Sequence, residues 1–179
     1  LNSPDTELRD CARRALVANP APEANVVLYQ AMLRASDAEK RAYIDGFAFR
    51  GDARAAKAIA PHLKSDDADT VIQAANALAL LGDSSVYSEL NLARTNAPDG
   101  SRAAIELAML ATGADVSTCK SFISSAANVG VAEAAFVALI KKDTTEAVSV
   151  LQAAVDEAPS PLRSAMLGTA MTTPALQVI

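Results

Sequence analysis

The chain has a single histidine, and this limits most of the chemistry open to it. A serine nucleophile needs a base to take its proton. His62 is the one imidazole available, and no Gly-x-Ser-x-Gly elbow accompanies it. Metal binding on a helix needs a second ligand one turn away, but the residues four places either side of His62 are Ala58 and Asp66, and only Asp66 is polar. His62 is therefore expected in the last turn of a helix, where a hydrogen bond or the helix dipole accounts for it. The string Gly51-Asp52-Ala53-Arg54-Ala55-Ala56-Lys57 contains a lysine but not the second glycine or the following Ser/Thr of a phosphate loop. The acid pairs Asp66-Asp67 and Asp156-Glu157 fall where turns or helix ends are expected, which makes them capping residues. Asp66-Asp67-Ala68-Asp69 lacks the spacing of a calcium loop. Cys11 and Cys119 share no metal-like spacing and are read as buried small hydrophobes. The sequence thus predicts no catalytic centre, no metal and no cofactor.

Composition points to helices. The apolar fraction is 51% but the aromatic fraction only 4%, and alanine makes up the difference. Alanine favours helix and lets helices approach closely, whereas strand-forming runs of Val, Ile, Thr and aromatics are missing. The formal net charge of −5 argues against a nucleic-acid partner. The basic pairs Arg13-Arg14, Lys40-Arg41 and Lys141-Lys142 are short, flanked by acids, and read as solvated helix ends. No apolar run approaches the ~20 residues of a membrane span, and no segment resembles a signal peptide. The composition is that of a soluble chain, and its compartment stays open. The chain opens on Leu1 rather than Met, so it reads as processed or as a fragment.

An internal repeat organises these residues. Gly51, Gly82 and Gly113 stand 31 residues apart, the first two followed directly by an aspartate. The same period places breaks near residues 20, 51, 82, 113, 143 and 173, all in turn-forming sequence. One column at this spacing, Leu16, Phe47, Leu78, Met109, Ile140 and Met171, is large and apolar throughout. The preceding column, Ala15, Gly46, Ala77, Ala108, Leu139 and Ala170, is small except at Leu139. A large residue beside a small one at fixed phase suggests a knob and an adjacent close contact. Each period holds two helical stretches. In the one from Gly51 they are Asp52 to Leu63 and Asp69 to Leu81, separated by Lys64-Ser65-Asp66-Asp67. The second places Val71, Ala75, Leu78 and Leu81 in one stripe. In the first stretches Leu28, Ile59 and Leu90 share a phase, while Phe122 and Leu151 are each one residue off it. Pro98, Pro159 and Pro161 suit helix starts, and Pro61 predicts a kink or an early end. The expectation is one domain over residues 1–179, an all-α solenoid of stacked helical hairpins. Residues 4–18 match only a second helix, and Pro174 to Ile179 look like the start of another repeat. Neither end has an obvious polar cap, so the chain reads as a segment of a longer superhelix.

Ile59 to Asp83, with its helix, acidic turn, helix and closing Leu-Leu-Gly-Asp, resembles the short HEAT-like repeats of the bilin-lyase type. The resemblance is clearest there and covers most of the chain as architecture. Such repeats often have Val-Arg after the acidic turn. Here Ile72 follows Val71, which removes an arginine that commonly ties neighbouring repeats. The resemblance implies a right-handed α-α superhelix with the second helices lining a concave face, and protein binding as the usual role. In bacteria such repeats are often appended to enzymes or other domains. The iron-dependent hydroxylases built on HEAT-like repeats need paired His-Glu motifs, and this sequence has none.

A non-catalytic interaction or scaffold module follows as the expected function, its partner a protein or a flanking domain of the same chain. Candidate contact residues, polar positions interrupting the apolar second helices, are Arg41, Asp45, Gln73, Asn76, Arg102, Glu106 and Glu133. One alternative, implied by the resemblance, is a tetrapyrrole lyase or chaperone-like subunit. It needs aromatic or basic groups lining a groove, and the chain has three tyrosines, four phenylalanines and no tryptophan. Another is a structural repeat domain appended to a larger bacterial enzyme.

Overall fold

The structure, a computed structural model, describes residues 3–98, 100–125, 128–142, 144–157 and 160–172. The side chains of 37, 160, 161 and 169–172 are excluded. Every regular element among the described residues is helical, and these residues contain no strand. In chain order the helices are α1 (Thr6–Ala18), α2 (Glu23–Arg34), α3 (Asp37–Arg50), α4 (Ala56–Ile59), α5 (Ala68–Leu81), α6 (Tyr87–Thr95), α7 (Arg102–Thr112), α8 (Val116–Ser125), α9 (Val129–Ile140), α10 (Thr145–Glu157) and α11 (Ser160–Thr172). They fall into two compact units, Leu1–Ala108 and Met109–Ile179.

The Gly-Asp pairs work as two-part joints. Gly51 ends α3 with φ 65° and Gly82 ends α5 with φ 62°, the left-handed backbone that glycine adopts without steric cost. The aspartate after each glycine then starts the next element. Asp52 accepts from the Arg54 amide at 3.1 Å, and Asp83 from the Ser85 amide at 2.9 Å. Beyond Ala114, Asp115 does the same for the Thr118 amide at 2.7 Å. The polar breaks within hairpins are caps as well. Ser36 and Glu39 form a capping box on α3, Asp67 caps α5 through Thr70, and Asn128 caps α9 through Val131. Asp67 is therefore the capping acid that its position in the acid pair implied.

The stretch from Asp52 to Leu63 is helical but tighter than a uniform α-helix. It runs as a 3₁₀ turn over Ala53–Ala55, the single α turn of α4, and a second 3₁₀ segment over Ala60–Lys64. Pro61 sits at the start of that second segment, where its missing N–H costs least, and α4 ends early at Ile59. His62 lies half-buried in the last turn of the segment.

Members of the expected apolar columns are buried in part. In the first unit Leu28, Phe47, Ile59, Leu78 and Leu90 are buried, as are Val71 and Ala75, while Leu81 is half-buried. Leu16 is half-buried and Ala15 exposed, so the small column is not a close contact at its first member. It is one at Gly46, where an added Cβ would come within 2.7 Å of Val17 Cγ2. In the second unit α8 packs on α9, with α10 against both and α11 against α9. Here the register slips. Leu139 is fully buried and Ile140 only half-buried, so the deep position falls one residue earlier than in α5. Phe122 is buried and Leu151 half-buried. Met171, Ala170 and the stretch from Pro174 lie outside the described side chains.

Two expectations need correction. Cys11 is exposed on α1 rather than buried, on a helix that buries none of its residues fully. Cys119 is fully buried, and burial pushes its thiol pKa up. Arg13 is not a solvated helix-end charge. Its side chain is only 18% exposed; it pairs with Asp10 and donates to the Ala42 carbonyl at 3.1 Å.

Candidate functional site

The longest helices of the first unit, α3 and α5, pack side by side and leave a groove of about 350 Å³ between them. Three of the expected contact residues line it: Asp45 from α3, and Gln73 and Asn76 from α5. Helical spacing explains the grouping. Gln73 and Asn76 are three residues apart and share a face of α5, and Asp45 occupies the facing ridge of α3. Asp45 and Asn76 are exposed and Gln73 half-buried, and none makes a hydrogen bond or ion pair among the described residues. Ile72 and Leu80 supply apolar wall, and Leu80 is 76% exposed. Phe49, one turn beyond Asp45 on α3, is 81% exposed. Large apolar groups so open on a helix are unusual when the same helix buries Ile44 and Phe47 completely.

Arg41 stands at the head of this groove, its Nη1 3.6 Å from Asp67 Oδ2 and 3.8 Å from Asp69 Oδ2. The hydroxyl and amide of Thr70 hold the Asp67 carboxyl below its ordinary pKa, and the charge of Arg41 adds to this. These ion pairs are long and solvated, so Arg41 is tethered only loosely.

The remaining candidates are placed elsewhere. Glu106 on α7 has a side chain only 12% exposed and is engaged by two guanidinium groups, Arg94 Nε at 3.0 Å and Arg102 Nε at 3.1 Å. Arg94 comes from α6, so Glu106 ties α6 to α7, and Arg102, 63% exposed, is its outer partner. Glu133 lies half-buried on α9 in the second unit.

Residues that sequence reasoning missed form a second polar assembly. Arg50, in the last turn of α3, donates to the carbonyls of Leu16 at 2.8 Å, Val17 at 3.2 Å and Ala21 at 3.0 Å, and also to that of Asn19. One guanidinium thus gathers carbonyls at and just beyond the end of α1, of which those of Leu16 and Ala21 also accept from the Asn19 and Ala24 amides. Its Nε donates to Asn25 Oδ1, and Asn25 Nδ2 donates to Asp52. Asp52 also receives Arg54, through Nε at 2.9 Å and Nη2 at 2.7 Å, and Arg54 is the main cause of its lowered carboxyl pKa. A signal was available: the residues 31 and 62 places after Arg50 are Leu81 and Thr112, so the arginine stands out in its column.

Among the described residues no group of three or more His, Cys, Asp or Glu side chains is placed to hold a metal, and no helix is long and apolar enough to cross a membrane. No family model matches the chain, and no curated protein matches it.

Proposed function

We propose that the chain is a non-catalytic protein-interaction module, a right-handed HEAT-like α-α superhelix of period 31 that takes its partner along the face of its second helices. Within that face the α3–α5 groove is the contact region, and Asp45, Gln73, Asn76 and Arg41 are its polar contacts. The observation that carries this reading is the combination in one groove of polar side chains without partners among the described residues and an exposed Leu80. Carboxamides can donate and accept at once, so Gln73 and Asn76 suit the backbone of a bound polypeptide, and the exposed apolar groups suit its side chains. The acidity of the chain favours a protein over a nucleic acid. The partner is a separate protein or a flanking domain of the same chain.

Capture of a partner by the immobilised protein tests the proposal. Gln73→Arg and Asn76→Arg each place a long cation in the groove, and each is expected to abolish capture while the thermal melt stays at the wild-type position. Undiminished capture by both variants would remove the groove from the assignment.

A further inference from the structure

A second cleft in the first unit, of about 400 Å³, lies where α2 and α3 meet the 3₁₀ turn and α4. Its volume is at the small end of the range occupied by ligand pockets, about 300–1,000 Å³. The floor is apolar, formed by Phe47, fully buried, and Ala55. Val26 and Tyr29 from α2 and Ala58 from α4 form the walls, and Val26 and Tyr29 are 57% and 40% exposed. The polar groups collect at one edge, and their hydrogen-bonding capacity is unequal. Asp52 has both oxygens occupied, by Asn25 and Arg54. Nearby Asp83, which does not line the cleft, accepts from the Ser85 amide and hydroxyl, each at 2.9 Å. Asn25 is fixed in orientation between Arg50 and Asp52. The donors are not used up. Arg54 spends Nε and Nη2 on Asp52 and keeps Nη1, and Lys57 makes no hydrogen bond among the described residues, although its charge is felt at Asp83. The Asp52 carboxylate at this edge is filled while cationic donors stay open, beside an apolar floor, in a chain whose net charge is negative.

We propose that this cleft binds a small organic carboxylate with an apolar body, its ring or branched chain against Phe47, Val26 and Tyr29 and its carboxylate between Arg54 and Lys57. Charge-assisted hydrogen bonds from two cations suit a carboxylate, and a cationic head would meet those same cations beside an Asp52 that already receives Asn25 and Arg54. The site is distinct from the α3–α5 groove and does not depend on the function proposed for it.

Three probes with one apolar body separate the contributions: 4-phenylbutyrate, 4-phenylbutylamine and 4-phenylbutanol, each titrated into the full chain and followed by amide NMR shifts. The butyrate is expected to saturate with shifts centred on Asn25, Tyr29 and Ala58, and to bind about 10-fold more tightly than the amine, a difference of one or two charge-assisted contacts. Lys57→Glu, at an exposed position, is expected to weaken the butyrate about 10-fold and to spare the alcohol. Ala58→Trp fills the cleft and is expected to remove all three responses. Equal affinity for the three heads, shifts centred away from the cleft, or no saturable shift up to about 10 mM, weaker than any specific pocket of this size, would each overturn the proposal. If Ala58→Trp unfolds, the three-probe comparison and Lys57→Glu still decide it.

Discussion

Helix α3 packs against α1, α2 and α5 in the first unit, and it treats α1 and α5 differently. Toward α1 it is tied by many polar links: Arg9 reaches Glu39 at 2.9 Å, Arg13 reaches the Ala42 carbonyl, and Arg50 gathers the carbonyls beyond Leu16. Gly46 lets Val17 come against the α3 backbone. Toward α5 the same helix offers Asp45 and Ala48 to an open groove, and among the described residues its charged links there are the long ones from Arg41. Polar residues interrupt an apolar pattern on both sides, yet on one they hold the fold together and on the other they are left over from it. A polar residue in a helical stripe therefore signals function only after the reach of its neighbours is known.

The contrast can be tested from the strongest effect downward. Arg50→Ala removes one donor from each of four carbonyls and frees Asn25, and is expected to cost about 2–3 kcal/mol in denaturant unfolding. Arg50→Lys should recover only part of this, because an ammonium cannot fork across so many acceptors. Gly46→Val forces a side chain against Val17 and should cost about 1–3 kcal/mol, partly relieved in the double variant with Val17→Ala. Acid acts on the same seam. Ser36 holds the Glu39 carboxyl down to about 2 from an ordinary 4.5, through its hydroxyl and amide, and Arg9 adds to this. Because the folded pKa is the lower one, this contribution is complete above pH 4.5 and is lost as pH falls toward 2. Glu39→Gln should flatten that part of the melting-temperature profile and leave the neutral side unchanged. On the other flank Asn76→Arg should move stability by no more than about 0.5 kcal/mol. A large loss there would mean that the groove is structural and would erase the contrast.

The helical character of the chain and most of its buried positions were legible because glycine, aspartate and apolar spacing act locally. Gly51 and Gly82 cap α3 and α5, and Asp52 and Asp83 start the next helical turns, all within a few residues of sequence. Gln73 and Asn76 share a face of α5 by local spacing alone, whereas their meeting with Asp45 depends on the packing of α3 against α5. Glu106 was not legible, since its partner Arg94 comes from another helix, 12 residues away. Arg50 escaped notice because its acceptors are backbone carbonyls, which leave no trace in residue identity. The tightening to 3₁₀ geometry around α4 was only half visible. Pro61 announced the end of the helix, but the turn over Ala53–Ala55 is set by the Asp52 cap and the packing of buried Ala55. The slip of the deep position to Leu139 reflects a one-residue change of register that a fixed period averages over.

The two cysteines give the chain a built-in stability gauge. Cys11 on α1 lies open to reagents, whereas Cys119 on α8 is sealed beneath its neighbours with its thiol pKa raised. A maleimide should add one group to the native protein within minutes and a second only as fast as the packing around α8 opens. Because thiolate capture follows transient exposure, the rate of that second addition, read by mass, reports the free energy of local opening in the second unit without any introduced label. Full modification of both thiols at the same rate in native buffer would mean that α8 does not cover Cys119 in solution.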